Sequence, residues 1–401
     1  MKKALAIVGA SLVAIAIGLF IYGRGSWPFL CCRLMFDHYL RMDQREINTE
    51  THSGLSSTYY FTSYYLNGML SAVEGTGNER LLRRTLRNID VMIDQAKDFT
   101  DHGRHYRAWP PFSVTPDTLV PEPNLHFTFQ AMVPIARAAA IIRRNPRFRA
   151  RYDAEAKRYV AFVDQAIIQY WFKSRLKEEI PWINLDHFPI WNDNGSNLAL
   201  IATFLYEATG DPTYENIARQ IGQAFKAKLS PVGQGWIWES QTIPIGSDTD
   251  NTPGSVGNQA GVPDTSHANR ESMLMVSQYE AGLVFNTSDL DRMAHTFTDF
   301  IWNRSTIDPT FSNYINGSDL PYRVYKEPGL NGSIYHGWAL IGGYSDKAQS
   351  VLLDTLDAVL HGRMNPALTR NITSYGGGLA LCGHVLRNFS VSRARQPVIN
   401  R

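Results

Sequence analysis

Cysteine is scarce in this chain, with three residues in 401. Cys31 and Cys32 are adjacent and Cys382 stands near the C-terminus, so the chain cannot carry a framework of several disulfides. Cys382 lies in an apolar stretch, and we expect it to be a small buried hydrophobic residue.

Short motifs for metals, phosphates and nucleophiles are also absent. The sequence has no HxxxH or CxxC spacing for zinc, no GxxxxGK[ST] or GxGxxG loop and no GxSxG elbow. Residues 248–251 (Asp-Thr-Asp-Asn) offer oxygen ligands in a glycine-rich loop but lack the spacing of an EF-hand. We therefore expect a solvated loop there, with calcium as the alternative, and no other cofactor or metal.

The chain has no large excess of either charge. Its 39 Lys and Arg against 37 Asp and Glu give a net charge of +2, which excludes a nucleic-acid partner by bulk charge. Aromatic residues are abundant, and several tryptophans lie in polar segments, where they either stack on sugar rings or cover loop cores. These are Trp109, Trp182, Trp191, Trp236 and Trp238.

The N-terminus carries an uncharged apolar run over residues 4–22, which is long enough to cross a bilayer. Lys2 and Lys3 precede it, so residues 1–3 are predicted to be cytoplasmic and the body extracytoplasmic. No small-x-small cleavage site follows, so we expect a retained signal anchor and a juxtamembrane linker over 23–54. Seven glycosylation sequons fit an exported glycoprotein, in the periplasm, at the cell surface or in a secretory lumen. They are Asn194, Asn286, Asn303, Asn316, Asn331, Asn371 and Asn388.

Helical periodicity dominates from residue 57 onward. Residues 59–73 are apolar almost all round, which predicts a buried inner helix, and residues 81–93 are amphipathic, which predicts an outer helix. The turn between them, 74–78, matches the turn at 207–211 in its Glu-x-Thr-Gly-(Asn/Asp) pattern. Inner helices are predicted to begin near 57, 125, 196, 267, 334 and 375, and this regular spacing indicates hairpins arranged around an axis.

The turn at residues 205–214 (LYEATGDPTY) and its counterpart at 72–78 resemble those of the six-hairpin (α/α) toroid proteins, a scaffold of many polysaccharide lyases and glycoside hydrolases. The resemblance covers about residues 55–390. It implies an all-α, (α/α)6 toroid, complete or incomplete, that follows the transmembrane helix and precedes a tail over 391–401. It also implies a carbohydrate-active enzyme with a polysaccharide substrate.

The long segments 100–124, 172–195, 230–266 and 306–333 each lead to a predicted inner helix and are expected to wall a cleft. Polar side chains recur where those helices begin, and they converge on one site if the ring closes. Taken singly, each also fits a hydrogen-bonded core residue or a helix cap. The residues are Asn124, His126, Asp193, Asn194, Asn197, Asp264, His267, Arg270, Tyr335 and His336.

Residues 263–271 hold the densest polar cluster. Thr265 or Ser266 is predicted to cap the fourth inner helix, which places His267 and Arg270 on one helix face. Capping and catalysis explain this segment equally well when it is considered alone, and its position at the entrance of a hairpin favours catalysis.

Two reactions fit these residue types. For β-elimination on an acidic, uronate-containing glycan, the sequence offers His267 as base, Arg270 and Asn194 as carboxylate partners and Tyr335 as proton donor. For glycoside hydrolysis it offers Asp264 paired with Glu239 or Asp193.

We expect the lyase rather than the hydrolase, with a non-catalytic glycan-binding toroid as the third alternative. The predicted substrate-binding residues are His126, Asn124, Asp193, Asn197, Asn269, Trp236, Trp238, His336 and Trp191.

Overall fold

The computed structural model describes residues 23–101, 103–112, 124–175, 192–239, 261–320, 332–364 and 376–395. Most of these residues are helical. The helices are α1 (Gly23–Met42), α2 (Gln44–Thr51), α3 (Ser56–Thr76), α4 (Glu79–Asp94), α5 (Leu125–Arg144), α6 (Pro146–Val163), α7 (Asn192–Thr209), α8 (Pro212–Lys226), α9 (Asn269–Glu280), α10 (Thr287–His295), α11 (Gly337–Leu340), α12 (Asp346–Leu360) and α13 (Gly377–Arg395).

Shorter elements extend or join these helices. A π-helix continues α6 over Asp164–Arg175, another continues α10 over Thr296–Ile301, and a 3-10 turn follows α11 at Ile341–Gly343. Two small antiparallel hairpins pair β1 (Lys97–Asp101) with β2 (Arg104–Ala108) and β3 (Ser230–Val232) with β4 (Gly235–Ile237).

Six helices form a closed inner ring. Helices α3, α5, α7, α9, α11 and α13 each contact the next, and α13 returns to pack along α3. Neighbouring helices run parallel: Ser63 of α3 bonds to Gln130 of α5 near their N-termini, and Glu74 of α3 pairs with Arg144 of α5 near their C-termini. The predicted toroid of helical hairpins is therefore present, and all six N-terminal ends of the inner helices face one end of the ring.

The outer layer consists of α4, α6, α8, α10, α12 and α1. Helix α1 packs against α13 and so supplies the outer helix of the sixth hairpin, within the segment expected to be a linker. Its buried residues recur at i, i+3, i+4, i+7 and i+8, an amphipathic pattern that the preceding apolar run obscured. These residues are Cys32, Met35, Phe36, Tyr39 and Leu40.

The hairpin turns follow the predicted chemistry. Gly77 and Gly210 both adopt a left-handed conformation, with φ of 63° and 73°, which ends α3 and α7. Asn78 and Asp211 then cap the next helices by accepting hydrogen bonds from the amides of Leu81 and Thr213. The observed inner-helix starts at 56, 125, 192, 269, 337 and 377 lie within a few residues of the predicted ones.

Glycines let α13 close the ring against α3. A Cβ on Gly68 would lie 2.6 Å from the Cα of Ala380, and a Cβ on Gly383 would lie 2.1 Å from the carbonyl oxygen of Gly68. Backbone therefore meets backbone at this crossing, which only residues without a side chain permit.

The described C-terminal end passes the boundary expected from the sequence. Helix α13 continues to Arg395, across the boundary at residue 390 where a tail was expected to begin. Among the described residues, no helix is both long and apolar enough to span a bilayer. The predicted anchor, residues 4–22, lies outside the described part of the chain. All three cysteines are free, and Cys382 is buried as predicted.

Candidate active site

Arg270 lies at the centre of the ring end formed by the helix N-termini. Its Nε donates to Gln130 Oε1 at 2.9 Å, and its Nη2 donates to the hydroxyls of Tyr60 and Tyr64. Its guanidinium also lies over the ring of Tyr60, 5.3 Å from the centroid. Asn197 Nδ2 donates to the same Gln130 oxygen at 3.1 Å. Arg270, which is 5% exposed, thus joins four inner helices into one polar cluster.

Asp264 and His267 form a hydrogen-bonded pair just before α9. His267 Nδ1 lies 2.6 Å from Asp264 Oδ2, and the His267 amide donates to Asp264 Oδ1 at 3.0 Å. Both carboxylate oxygens are therefore used within one turn. Because a carboxylate oxygen accepts, the tautomer that fits this contact carries its proton on Nδ1 and leaves Nε2 as the basic nitrogen of the neutral imidazole. The Asp264 side chain is 10% exposed and that of His267 34%, so the imidazole is the accessible partner.

The predicted cap of this helix is wrong. Helix α9 begins at Asn269 with Ala268 as its N-cap residue, and no side chain caps it. Thr265 Oγ1 instead donates to the carbonyl of Ser312 at 2.7 Å, and Ser266 Oγ accepts from the amide of Ser333 at 3.2 Å. Both hydroxyls hydrogen-bond to neighbouring loops instead of to the start of α9, and Asp264 stabilises the turn in their place.

An aspartate–histidine contact is not in itself diagnostic. His295 pairs with Asp299 at 2.7 Å and His361 with Asp357 at 3.2 Å, and both pairs lie on the outer layer. The pair at His267 differs in its position, since it adjoins Arg270, whose Nη1 donates weakly to the His267 carbonyl at 3.5 Å.

His336 approaches the same cluster from the segment before α11. Its ring stacks on Tyr64 with centroids 3.7 Å apart. Burial, reinforced by the positive charge of Arg270, lowers the pKa of His336 to about 3, so this imidazole stays neutral at physiological pH. Its Nδ1 is buried and has no hydrogen-bond partner among the described residues.

His126 completes the cluster on α5. Its Nδ1 lies 3.2 Å from Asn194 Oδ1 of α7, and its ring centroid lies 5.0 Å from that of Tyr60. The structure therefore brings together His126, Asn194, Asn197, Arg270 and His336, with the Asp264–His267 pair adjoining them.

Three other predicted site residues lie in the interior. Asn269 is 3% exposed, and its amide bonds to main-chain groups on both sides, including the carbonyl of Ser333 at 2.7 Å and the amide of Trp338 at 3.2 Å. Tyr335 is 1% exposed, and Trp238 is buried near Trp338. Asn269 therefore holds the 333–338 segment against α9. We interpret it as a positioning residue rather than a substrate contact.

The remaining predicted residues lie at the margins. Asn124 caps α5 by accepting from the amide of Phe127 at 3.1 Å. Trp236 is half-buried beneath the guanidinium of Arg292, and Glu239 is exposed just after β4. Trp191 and the side chain of Asp193 lie outside the described part of the chain.

Sequence reasoning missed Tyr60, Tyr64 and Gln130. The tyrosines are four residues apart on α3, and the same helix face carries further polar residues towards its C-terminus. This polar stripe on an otherwise apolar inner helix could have indicated these residues. Polar side chains on an inner helix are expected to face the axis of the ring, because its other faces pack against neighbouring helices. The further residues of the stripe are Ser63, Asn67, Ser71 and Glu74.

The stripe leads to a second polar cluster at the opposite end of the ring. Glu74 pairs with Arg137 at 2.6 Å, with Arg144 at 2.6 Å and with Arg387 at 3.0 Å. Burial by itself would raise the pKa of Glu74, but the three guanidinium groups outweigh it and hold the pKa well below its usual range. The charges at this end are thus satisfied by one another.

Two more carboxylates extend this cluster. Glu207 accepts from Arg144 at 2.7 Å, and Glu280 accepts from Arg387 and from the hydroxyl of Tyr344. Burial raises the pKa of Glu207 to about 7, with Arg144 opposing the shift and Glu280 adding to it. We call Glu74, Arg137, Arg144, Glu207, Glu280 and Arg387 the basal network.

Among the described residues, no group of three or more His, Cys, Asp or Glu side chains is placed to hold a metal ion. The alternative calcium loop, residues 248–251, lies outside that part of the chain.

No protein-family model and no curated protein matches this sequence. Among solved structures, the chain is similar to a family 76 glycoside hydrolase from a bovine Bacteroides thetaiotaomicron strain. The TM-score is 0.45 and the identity 12%, over 84% of this chain and 69% of that chain. The toroid assignment rests on the ring of helix contacts within this chain.

Proposed function

We propose that this protein is a polysaccharide-cleaving enzyme that acts by β-elimination on a uronate-containing glycan. The observation that carries the proposal is the Asp264–His267 pair beside buried Arg270, at the ring end where the inner helices begin. A carboxylate-oriented imidazole is a general base, and this reaction begins with the removal of a proton.

In the proposed reaction, Nε2 of His267 removes the proton on C5 of a uronate residue. The electron pair of that C–H bond forms the C4–C5 double bond as the C4–O4 bond breaks, and the departing O4 takes up a proton. Asp264 stabilises the imidazolium that forms, because its Oδ2 already accepts the Nδ1 proton.

We assign the donation of that proton to Tyr60 or Tyr64. Both hydroxyls are held by Arg270, whereas Tyr335, the donor expected from the sequence, is 1% exposed. Arg270 makes too many contacts within the protein to clamp a substrate carboxylate alone. Its part is to fix the tyrosines and to supply positive potential where negative charge develops on the substrate.

Hydrolysis is less well supported because it needs two available carboxylates on either side of the glycosidic bond. Asp264 already uses both oxygens in its own turn, and Glu239 is exposed beyond β4. The other candidate, Asp193, has its side chain outside the described residues.

The test is an incubation of the full chain with polygalacturonate, polymannuronate and polyglucuronate, followed by ultraviolet absorbance and a reducing-end assay. We expect ultraviolet-absorbing unsaturated ends from at least one polymer, and their loss in His267→Ala. His295→Ala is the matched control, since it removes an imidazole from an equivalent aspartate pair on the outer layer.

Saturated reducing ends without ultraviolet absorbance would contradict the lyase proposal and favour the hydrolase. Binding of a polymer without any cleavage would instead favour the glycan-binding toroid.

We also propose that residues 4–22 anchor the protein and place the toroid outside the cytoplasm. The support is the length and apolarity of that run after two lysines. Alkaline phosphatase fused after the toroid, which is active only outside the cytoplasm, should be active, and an inactive fusion would contradict this. We expect no glycan on Asn388, which is fully buried and whose amide donates to Ala339 O and Gln349 Oε1.

A further inference from the structure

A cavity of about 680 Å³ lies between α1 and α4, away from the candidate active site. It reaches Ala72 and Thr76 near the C-terminus of α3, whereas Tyr64 of the active site lies twelve residues before Thr76, or about 18 Å along the helix. This cavity belongs to the outside of the ring and has no part in the proposed elimination.

Positive charge dominates the lining of this cavity. Four arginines contribute to it, and Asp37 is the one carboxylate among the described lining residues. None of the four makes an ion pair among the described residues. Burial, together with the neighbouring Arg87, lowers the pKa of Arg84, as expected for a cation without a compensating anion. The arginines are Arg33, Arg80, Arg84 and Arg87.

A buried donor also lines this cavity without a partner. Asn88 is 9% exposed, and its Nδ2 has no hydrogen-bond partner within the described part of the chain. Buried amide groups in native proteins are almost always paired, so this donor, beside arginines that form no ion pair, marks a place where an acceptor can bind. Arg84 also donates to the carbonyl of Leu40 at 3.2 Å. Asn88 and the arginines together are suited to bind a ligand with several anionic oxygens.

The rest of the lining is mixed, with polar side chains (Gln44, Asn48, Thr76 and Asn78) as well as an apolar part. Phe36 and Leu40 of α1 and Leu81 of α4 are each 8% exposed or less and form its floor. The cavity is also many times the volume of a water molecule, which is roughly 30 Å³. The apolar floor and this volume accommodate an organic group beside an anionic one.

We propose that this cavity binds the phosphate group of an organic phosphate ester. Several guanidinium forks and one amide donor match the oxygens of a phosphate, and the apolar floor matches the carbon skeleton that carries it. Two sources share this chemistry, the headgroup of an anionic phospholipid and a soluble phosphorylated sugar or polyol. The first is suggested by the chain itself, since α1 follows directly on the apolar run of residues 4–22.

The experiment uses the solubilised full-length chain and measures the binding of inorganic phosphate and glycerol 3-phosphate by calorimetry and by the midpoint of thermal unfolding. The test variant is Arg80→Gln with Arg87→Gln, because both side chains are exposed and unpaired among the described residues. The matched control is Arg83→Gln, an exposed arginine of the same helix that does not line the cavity.

We expect glycerol 3-phosphate to bind the wild type and the control equally, and the double variant at least about tenfold more weakly. Equal binding by the control and the double variant, or no binding by the wild type, would overturn the proposal. The midpoint without ligand should be unchanged in all three proteins, which separates lost binding from lost folding.

Vesicles of phosphatidylcholine with and without phosphatidic acid distinguish the two sources. The apolar N-terminus is the same in every variant, so a preference for phosphatidic acid that the double variant loses assigns the site to a lipid headgroup. If glycerol 3-phosphate binding depends on the arginines but the vesicle preference does not, the site takes a soluble phosphate ester.

Discussion

The two ends of the helix ring are built from the same helices yet carry opposite kinds of polar cluster. At the N-terminal end, imidazoles and phenols surround one guanidinium, and Asp264 is engaged by His267. At the C-terminal end, the basal network pairs carboxylates with guanidinium groups. The first set is rich in hydrogen-bonding imidazole and phenol groups, whereas the second holds its charges in internal ion pairs.

The helix dipoles explain part of this division. The C-terminal end of a helix carries partial negative charge, which favours arginine and disfavours glutamate. Glu74, Glu207 and Glu280 all lie near such ends, so each depends on a neighbouring guanidinium. A cluster whose charged groups pair with one another stabilises the ring and has few groups left to bind a substrate.

The largest expected effect is a loss of activity from a substitution at the end of the ring that holds the candidate active site. His267→Ala should lower turnover by about 10²- to 10⁴-fold, because it removes the proposed general base. Its unfolding midpoint should stay near that of the wild type, since the side chain is 34% exposed. Initial rates and thermal unfolding of the same preparation check both parts, and undiminished turnover would remove His267 from the mechanism.

The next largest effect is a loss of stability from a substitution in the basal network. Glu74→Ala leaves Arg137 and Arg387, whose side chains are 3% and 6% exposed, without a shared carboxylate. We expect the free energy of unfolding to fall by about 3–5 kcal/mol, measured by denaturant titration. Glu79→Ala is the control, because Glu79 also pairs with two arginines, but the side chains of those arginines are 68% and 63% exposed. Equal losses in the two variants would show that the basal network has no special weight.

Arg270→Lys tests the buried guanidinium at the centre of the candidate active site. Lysine keeps the charge but loses the planar fork that holds Gln130 and Tyr60, so activity should fall together with about 1.5–3 kcal/mol of stability. Arg292→Lys, whose guanidinium lies over Trp236, is the control and should leave activity unchanged. A fall in stability alone would make Arg270 purely structural.

The smallest expected effect is a change in pH dependence at the basal end. The pKa of Glu207 is raised to about 7 in the folded state from 4.5, so the folded state binds this proton more tightly. The stability it contributes is present below about pH 4.5 and is lost as the pH rises through 7. Glu74, with its lowered pKa, acts in the opposite sense and loses stability as the pH falls.

Glu207→Gln removes that titration while its amide oxygen still accepts from Arg144. We therefore expect the free energy of unfolding to decline less between about pH 5 and pH 8 than in the wild type. A residual decline should remain, because burial also raises the pKa of Glu50 to about 7. Denaturant titrations at the two pH values provide the measurement, and an identical decline in both proteins would contradict the assignment.

The hairpin architecture was predictable because it depends on local signals. Apolar periodicity and the left-handed glycines at 77 and 210 are readable within a few dozen residues. Helix α1 was missed although its pattern is equally local, because the adjacent apolar run suggested a linker instead. The cap of α9 was wrong for a different reason: Thr265 and Ser266 bond to loops that are 47 and 67 residues away in sequence.

The sequence by itself determined which segments form helices, where the hairpins turn and which polar residues stand at the helix starts. Only the tertiary structure decided which of those residues meet. Arg270 and Tyr60 are 210 positions apart, and they are neighbours because α13 closes the ring on α3 through Gly68 and Gly383. Helix periodicity depends on neighbours in the chain, whereas contacts across the axis depend on closure of the ring, which no single segment encodes.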